Sequence, residues 1–129
     1  MMAESKSAPP IRSYRDLVAW QEARALVKMV YLATKSFPKE ETYGLSLQMR
    51  RASVSVPSNI AEGYGRGSRK DYVRFLQVAR GSLYELQTQL FLAEDLGYLH
   101  PPASQALHEQ TDRCSRLLHG LIRSLPIDR

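Results

Sequence analysis

At 129 residues the chain is the size of one domain and long enough to bury a hydrophobic core. Its 43% hydrophobic and 24% charged residues exclude a disordered chain, and its longest uninterrupted apolar run, Met29 to Ala33, is far too short to span a bilayer. One cysteine excludes an intrachain disulfide, and a net charge of +5 points to a polyanionic partner.

Residues 1 to 12 combine Ser, Ala, Lys and a Pro-Pro pair without periodicity, so they read as a flexible tail. They contain no apolar signal-peptide core, and the expected location is the cytoplasm. Ser13-Tyr14-Arg15-Asp16 has the form of a capping box, with Ser13 as N-cap of a first helix. That helix should run to about Ser36, where Phe37-Pro38 stops it.

A second helix begins between Thr42 and Leu45. Its seam of Leu45, Met49, Ala52, Val56, Asn59 and Gly63 advances by alternating fours and threes. Pro57 lies inside this pattern and cannot donate to the carbonyl of Ser53, so a kink is expected there rather than a reversal. Gly63, Gly65 and Gly67 should then end the helix, because glycine tolerates a left-handed C-cap. Ser68-Arg69-Lys70-Asp71 repeats the capping-box pattern and opens a third helix. Its seam is Tyr72, Leu76, Ala79, Leu83, Leu86, Leu90 and Ala93, with Gly97 just past the last turn. Pro101-Pro102 suits the first turn of a fourth helix with the seam Ala103, Leu107, Gln110, Cys114, Leu117 and Leu121.

No segment alternates with period two. The spacing therefore predicts an all-α protein, an antiparallel up-down-up-down four-helix bundle over residues 13–125, with a short C-terminal tail at 126–129. The first helix carries more apolar surface than one core can use. Ala19, Ala23, Leu26 and Val30 form one face, while Val18, Trp20, Val27, Met29 and Tyr31 lie outside it. A second buried face in a homo-oligomer is the simplest supply of cover; a thick core with a few exposed apolar side chains is the alternative.

The stretch SVPSNIAEGYGRGSRKDYVRF poses the question of catalysis. It has neither the Gly-Lys-Ser/Thr of a phosphate-binding loop nor a preceding strand, and a dinucleotide fingerprint fails for the same reason. What remains is a helix N-terminus flanked by Arg66, Arg69 and Lys70, a seat for a phosphate of a polymer. From Arg50 to Arg80 seven basic residues face only Glu62 and Asp71, which equals the net charge of the whole chain. Arg50, Arg51, Arg66, Arg69, Lys70 and Arg74 are the expected phosphate contacts. The plainer reading of the patch is a pair of solvated helix surfaces.

Other chemistry is weaker. His108, Asp112 and His119 share a helix face, but the two histidines lie roughly 16 Å apart along the axis and cannot close around one metal. Cys114 reads as a small core residue. No nucleophile, metal or cofactor site is expected, and hence no enzyme. Ser55, Asn59 and Glu62, with Glu85 and Gln89 on the third helix, are expected to form a structural polar network, because a buried polar side chain must find partners.

The segments YRDLVAWQEA, FPKEETYGLSLQMRRASVSVPSNIAEGYGR and FLQVARGSLYELQTQLFLAEDLGYL resemble the bacterial four-helix-bundle family whose founding members are encoded by intervening sequences within 23S ribosomal RNA genes. The resemblance covers about Ser13 to Leu99, and Arg50 to Arg66 is its most specific block. It implies a homo-oligomer, typically a pentamer shaped as a basic barrel, in the cytoplasm. The architecture is also similar to accessory proteins of diversity-generating retroelements, which bind nucleic acid and a reverse transcriptase. Five copies would carry +25 between them, enough to attract RNA or DNA without base-specific contacts. The rival expectation is a scaffold or accessory subunit for a separately encoded protein.

Overall fold

The buried positions of the helices follow a three-and-four rhythm, and four such stripes meet in one core. The computed structural model describes residues 10–126. It contains α1 (Val18–Thr34), α2 (Leu45–Tyr64), α3 (Arg69–Asp95) and α4 (Ala103–Ser124). Single 3-10 turns at Tyr14–Asp16 and Lys39–Glu41 precede α1 and α2, and there is no strand among the described residues. Of the expected tails at residues 1–12 and 126–129, residues 1–9 and 127–129 lie outside the described residues.

Each helix packs on two others, α1 and α3 both on α2 and α4, which makes a four-helix bundle with no diagonal contact. Ser55 meets Ser82 and Gly63 meets Phe75, so residue numbers fall along α3 as they rise along α2. On α3 and α4, Arg80 meets His119, Gln87 meets Asp112 and Glu94 meets His108 in the same opposed order.

Of the predicted α3 seam, Leu76, Ala79, Leu83, Leu86, Leu90 and Ala93 are buried, and Tyr72 at its start is half-buried against the core. Full burial of each leucine contributes roughly 2 kcal/mol, an upper value for a compact unfolded chain. Two other seams differ from expectation. In α2, Asn59 is only half-buried and Ile60 holds the core position beside it. In α4 the stripe is Ser104, Leu107, Thr111, Cys114 and Leu118, so Ala103, Gln110, Leu117 and Leu121 lie off it. Small hydroxyl side chains serve as core residues by turning back on their own helix. Thr111 donates to the Leu107 carbonyl at 2.7 Å, Thr34 to Val30 at 2.8 Å and Ser53 to Arg50 at 2.8 Å.

The helix ends also differ in detail. Ser13 does form a capping box with Asp16, but on the isolated 3-10 turn; Leu17 is extended and α1 starts at Val18. The helix α2 is continuous through Pro57 and receives its cap from Glu41, whose Oε1 accepts from the Leu45 amide at 2.8 Å. Gly65 ends α2 with φ −80°, not left-handed; among the described residues only Gly97, after α3, has positive φ, at 77°. Gly63 serves packing instead, since a Cβ there would lie 2.8 Å from Cβ of Phe75.

Candidate nucleic-acid interface and assembly surface

The turn between α2 and α3 gathers cations for local reasons. Ser68 caps α3, its Oγ accepting from the Asp71 amide at 3.2 Å, and the absent side chain of Gly63 lets the α3 start close onto α2. Phe75 is thereby held between two guanidinium groups, Arg66 at 4.5 Å and Arg74 at 4.7 Å from its ring centre. Arg66 pairs with Glu62 at 3.3 Å and Arg74 with Asp71 at 3.8 Å. Both pairs are solvent-exposed and therefore weak, so a phosphate can compete for either arginine. Arg69 donates to the Leu125 carbonyl at 3.5 Å and ties this turn to the end of α4; Lys70 is exposed beside it.

Arg50 and Arg51 do not join them. They sit roughly 20 Å back along α2 from its last residue. Arg50 acts as a fastener between helices: its Nε donates to Thr34 Oγ1 at 2.8 Å and its guanidinium lies 4.6 Å from the Tyr31 ring centre. Arg51 is exposed but isolated from the turn.

What joins the turn instead comes from distant sequence. The start of α1 shares a groove with the end of α2, and the end of α4 meets the start of α3, so these termini form one end of the bundle. Dividing each helix at its midpoint, this half holds Arg12, Arg15, Arg24, Arg66, Arg69, Lys70, Arg74, Arg80, Arg116 and Arg123. Ten cations there meet four carboxylates, a charge of +6, whereas six meet seven in the other half, −1. No linear window shows this, because the cations of α1 and α4 lie far from the turn in sequence.

The polar network of α2 and α3 forms in two pieces. Asn59 Nδ2 donates to the Ser55 carbonyl at 2.8 Å and to its Oγ at 2.9 Å, and Ser82 donates to that Oγ at 2.8 Å. Gln89 donates to Glu85 at 3.4 Å, and its buried Oε1 has no partner. Glu62 belongs to the Arg66 pair instead. Ser82, the residue that bridges the helices, was not distinguishable from a surface serine by spacing.

On the flank of the bundle α1 and α2 frame an open groove of about 820 Å³. Trp20, Val27 and Tyr31 line it from α1, and Val54, Pro57 and Ala61 from α2. No carboxylate lines it; Arg24 and Lys28 do, and Arg50 and Arg51 lie in its continuation past Tyr31. Of the other expected interface residues, Val18 is exposed away from the groove and Met29 packs half-buried against the core.

The α4 side chains that might suggest chemistry are separately engaged with α3. His108 lies 3.3 Å from Glu94, without hydrogen-bond geometry, and against the Phe91 ring at 4.6 Å. Asp112 accepts from Gln87 at 3.2 Å, and His119 Nε2 sits 3.0 Å from Arg80, which can only donate. Burial pushes the Cys114 thiol up to about 12. Among the described residues no group of three His, Cys, Asp or Glu side chains could hold a metal ion, and no helix is long and apolar enough to cross a membrane.

A sequence model of the family described as 23S rRNA-intervening sequence protein matches residues 15–120. None of the curated proteins matches the chain. Among solved structures, the fold is similar to a protein with unknown function from the S23 ribosomal protein family of Bacteroides thetaiotaomicron. The two share 21% identity with a TM-score of 0.75, over 83% of this chain and 96% of the other.

Proposed function

The chain belongs to the 23S rRNA-intervening sequence protein family, and from that membership and its charge layout we propose a non-enzymatic, cytoplasmic homo-oligomer that binds structured RNA or DNA through phosphates. The observation that carries this reading is the segregation of charge, +6 in the half around the α2–α3 turn against −1 in the other. Arg66, Arg69, Lys70 and Arg74 form the centre of the surface, with Arg116 and Arg123 extending it across α4. The segregation of charge supports contacts to phosphates, which position a backbone and carry no sequence information directly. A pentamer, which the family resemblance implies, would multiply the surface fivefold.

Fluorescence anisotropy of labelled structured RNA, single-stranded DNA and duplex DNA over 50–200 mM salt tests the reading. Affinity should fall steeply with salt, and Arg66→Ala/Arg69→Ala/Lys70→Ala should reduce the log–log slope by about 3 on duplex DNA. Unchanged affinity in this variant and in Arg116→Ala/Arg123→Ala would sink the assignment. The second reading, an accessory subunit for a separately encoded protein such as a reverse transcriptase, is favoured by the apolar groove. Stoichiometric recovery of one protein after nuclease treatment would support it.

A further inference from the structure

Exposed apolar side chains are not scattered evenly over this bundle. Of the eleven large ones among the described residues, five lie on or at the end of α3: Val78, Tyr84, Phe91, Leu92 and Leu96. In its second half the outward face of α3 repeats at helical spacing through Tyr84, Glu85, Thr88, Phe91, Leu92 and Asp95, all exposed. From Gly81 to Leu96 the sequence contains acids and no base. The stripe is apolar at its centre and negative at its edges, and it stays exposed although His108 touches the edge of it at Phe91.

The groove between α1 and α2 has the opposite character. It is concave where the stripe is convex, lined by Trp20, Val27, Tyr31 and Val54, and rimmed by Arg24 and Lys28 with no carboxylate. Helix α3 makes no contact with α1, its diagonal neighbour, so stripe and groove face different flanks of the bundle and do not form one patch. We propose that the α3 stripe of one copy seats in the α1–α2 groove of the next, a head-to-tail contact that repeats until a ring closes. Tyr84 and Phe91 would be the buried aromatic anchors, and Glu85 and Asp95 would face Arg24 and Lys28. The inference rests on the homo-oligomer reading above and adds the half of the interface that the spacing of α1 could not supply.

Two variants test it: Leu92→Arg breaks the stripe and Val54→Arg breaks the groove. Both positions are solvent-exposed, so circular dichroism should show the helix content of the parent protein. Light scattering after size exclusion should find the parent as one closed oligomer and each variant as a monomer. Mixed in equal amounts, the variants should form a 1:1 heterodimer and nothing larger, because only one intact stripe meets one intact groove. A two-fold dimer that makes the contact twice would show a dimeric parent, so a parent larger than a dimer separates the two arrangements. Parent-like assembly of Leu92→Arg, or a mixture that stays monomeric, would overturn the proposal while leaving oligomerisation standing. A monomeric parent protein would overturn the oligomer reading itself. Should Leu92→Arg fail to fold, Phe91→Ser decides: the concentration of half-dissociation should rise at least tenfold, and no change would refute the contact.

Discussion

Replacing Gly63 by alanine should loosen the end of the bundle that carries the charge. A Cβ there would stand 2.8 Å from Cβ of Phe75, 3.1 Å from Cδ1 of Tyr72 and 3.2 Å from the Tyr72 carbonyl oxygen. The first and third of these atoms are fixed to the α3 backbone and cannot rotate away, so the two helices must part by several tenths of an ångström. Overpacking of this kind costs about 1–3 kcal/mol, and better helix propensity returns less than about 1 kcal/mol this close to the end of α2. The net loss is about 1–2 kcal/mol, a fall in Tm of roughly 4–8 °C for a chain of this size. Gly120 supplies the control, because it is helical and a Cβ there meets nothing within 4 Å. Gly120→Ala should therefore raise Tm, by up to a few degrees for about 0.5–1 kcal/mol. Thermal circular dichroism at 222 nm and one fixed protomer concentration measures both. If Gly63→Ala is as stable as the parent, the close α2–α3 approach is not real.

Burial pushes the Tyr72 phenol up to about 12, so the folded state keeps that proton after the unfolded state has lost it. Its contribution to stability should be intact below pH 10 and disappear as pH rises through 12; Tyr72→Phe should flatten that alkaline loss and remove a late phenolate step at 295 nm. Cys114, raised by burial to about 12, should react with a thiol reagent at pH 8 at least ~100-fold more slowly than in denaturant, and only in step with unfolding. Arg50→Ala should destabilise by about 1–2 kcal/mol through loss of the Thr34 bond and the Tyr31 contact, while leaving the salt slope of nucleic-acid binding unchanged. Arg66→Ala should do the reverse, and a competition of the two in one anisotropy series separates fastener from contact.

The class of fold was legible because helical period and chain punctuation are local. The α3 seam needed nothing beyond the spacing of its leucines and alanines, and Ser68 and Gly97 marked its ends. Misassignments arose where a residue's polarity depended on its neighbours. Ser104 and Thr111 look like surface residues, yet each is buried in α4, and the Thr111 hydroxyl is satisfied by a carbonyl four residues back. Asn59 was drawn into the seam by spacing although Ile60, one residue on, fills the core more cheaply. Ser13 met every requirement of a helix cap, but the extended backbone of Leu17 confines it to one turn. Arg50 looked like its neighbour Arg51 in sequence; only the third dimension shows that it is bonded to α1.

Charge is the quantity that linear windows misjudge most in a bundle, because chain reversals stack distant segments at the same height. The α2–α3 turn was visible as a basic run, but Arg15 and Arg24 arrive with the start of α1, and Arg116 and Arg123 with the end of α4. This placement has a consequence for how an assembly would work. Arg24 rims the groove and would be covered, but Arg66, Arg69, Lys70, Arg74, Arg116 and Arg123 line neither surface, so contacts between stripe and groove leave most of the charged end uncovered. Cyclic symmetry then places every copy of that end on one circle, whatever the number of subunits. A nucleic acid could meet several copies at once, and the second contact would form at high effective concentration. Leu92→Arg, which adds a positive charge on α3 yet breaks the ring, should accordingly bind labelled structured RNA at least ~10-fold more weakly than the parent and with a shallower salt slope. Charge alone predicts the opposite sign. Tighter binding by this variant would mean that each subunit acts independently and that the ring contributes nothing to recognition.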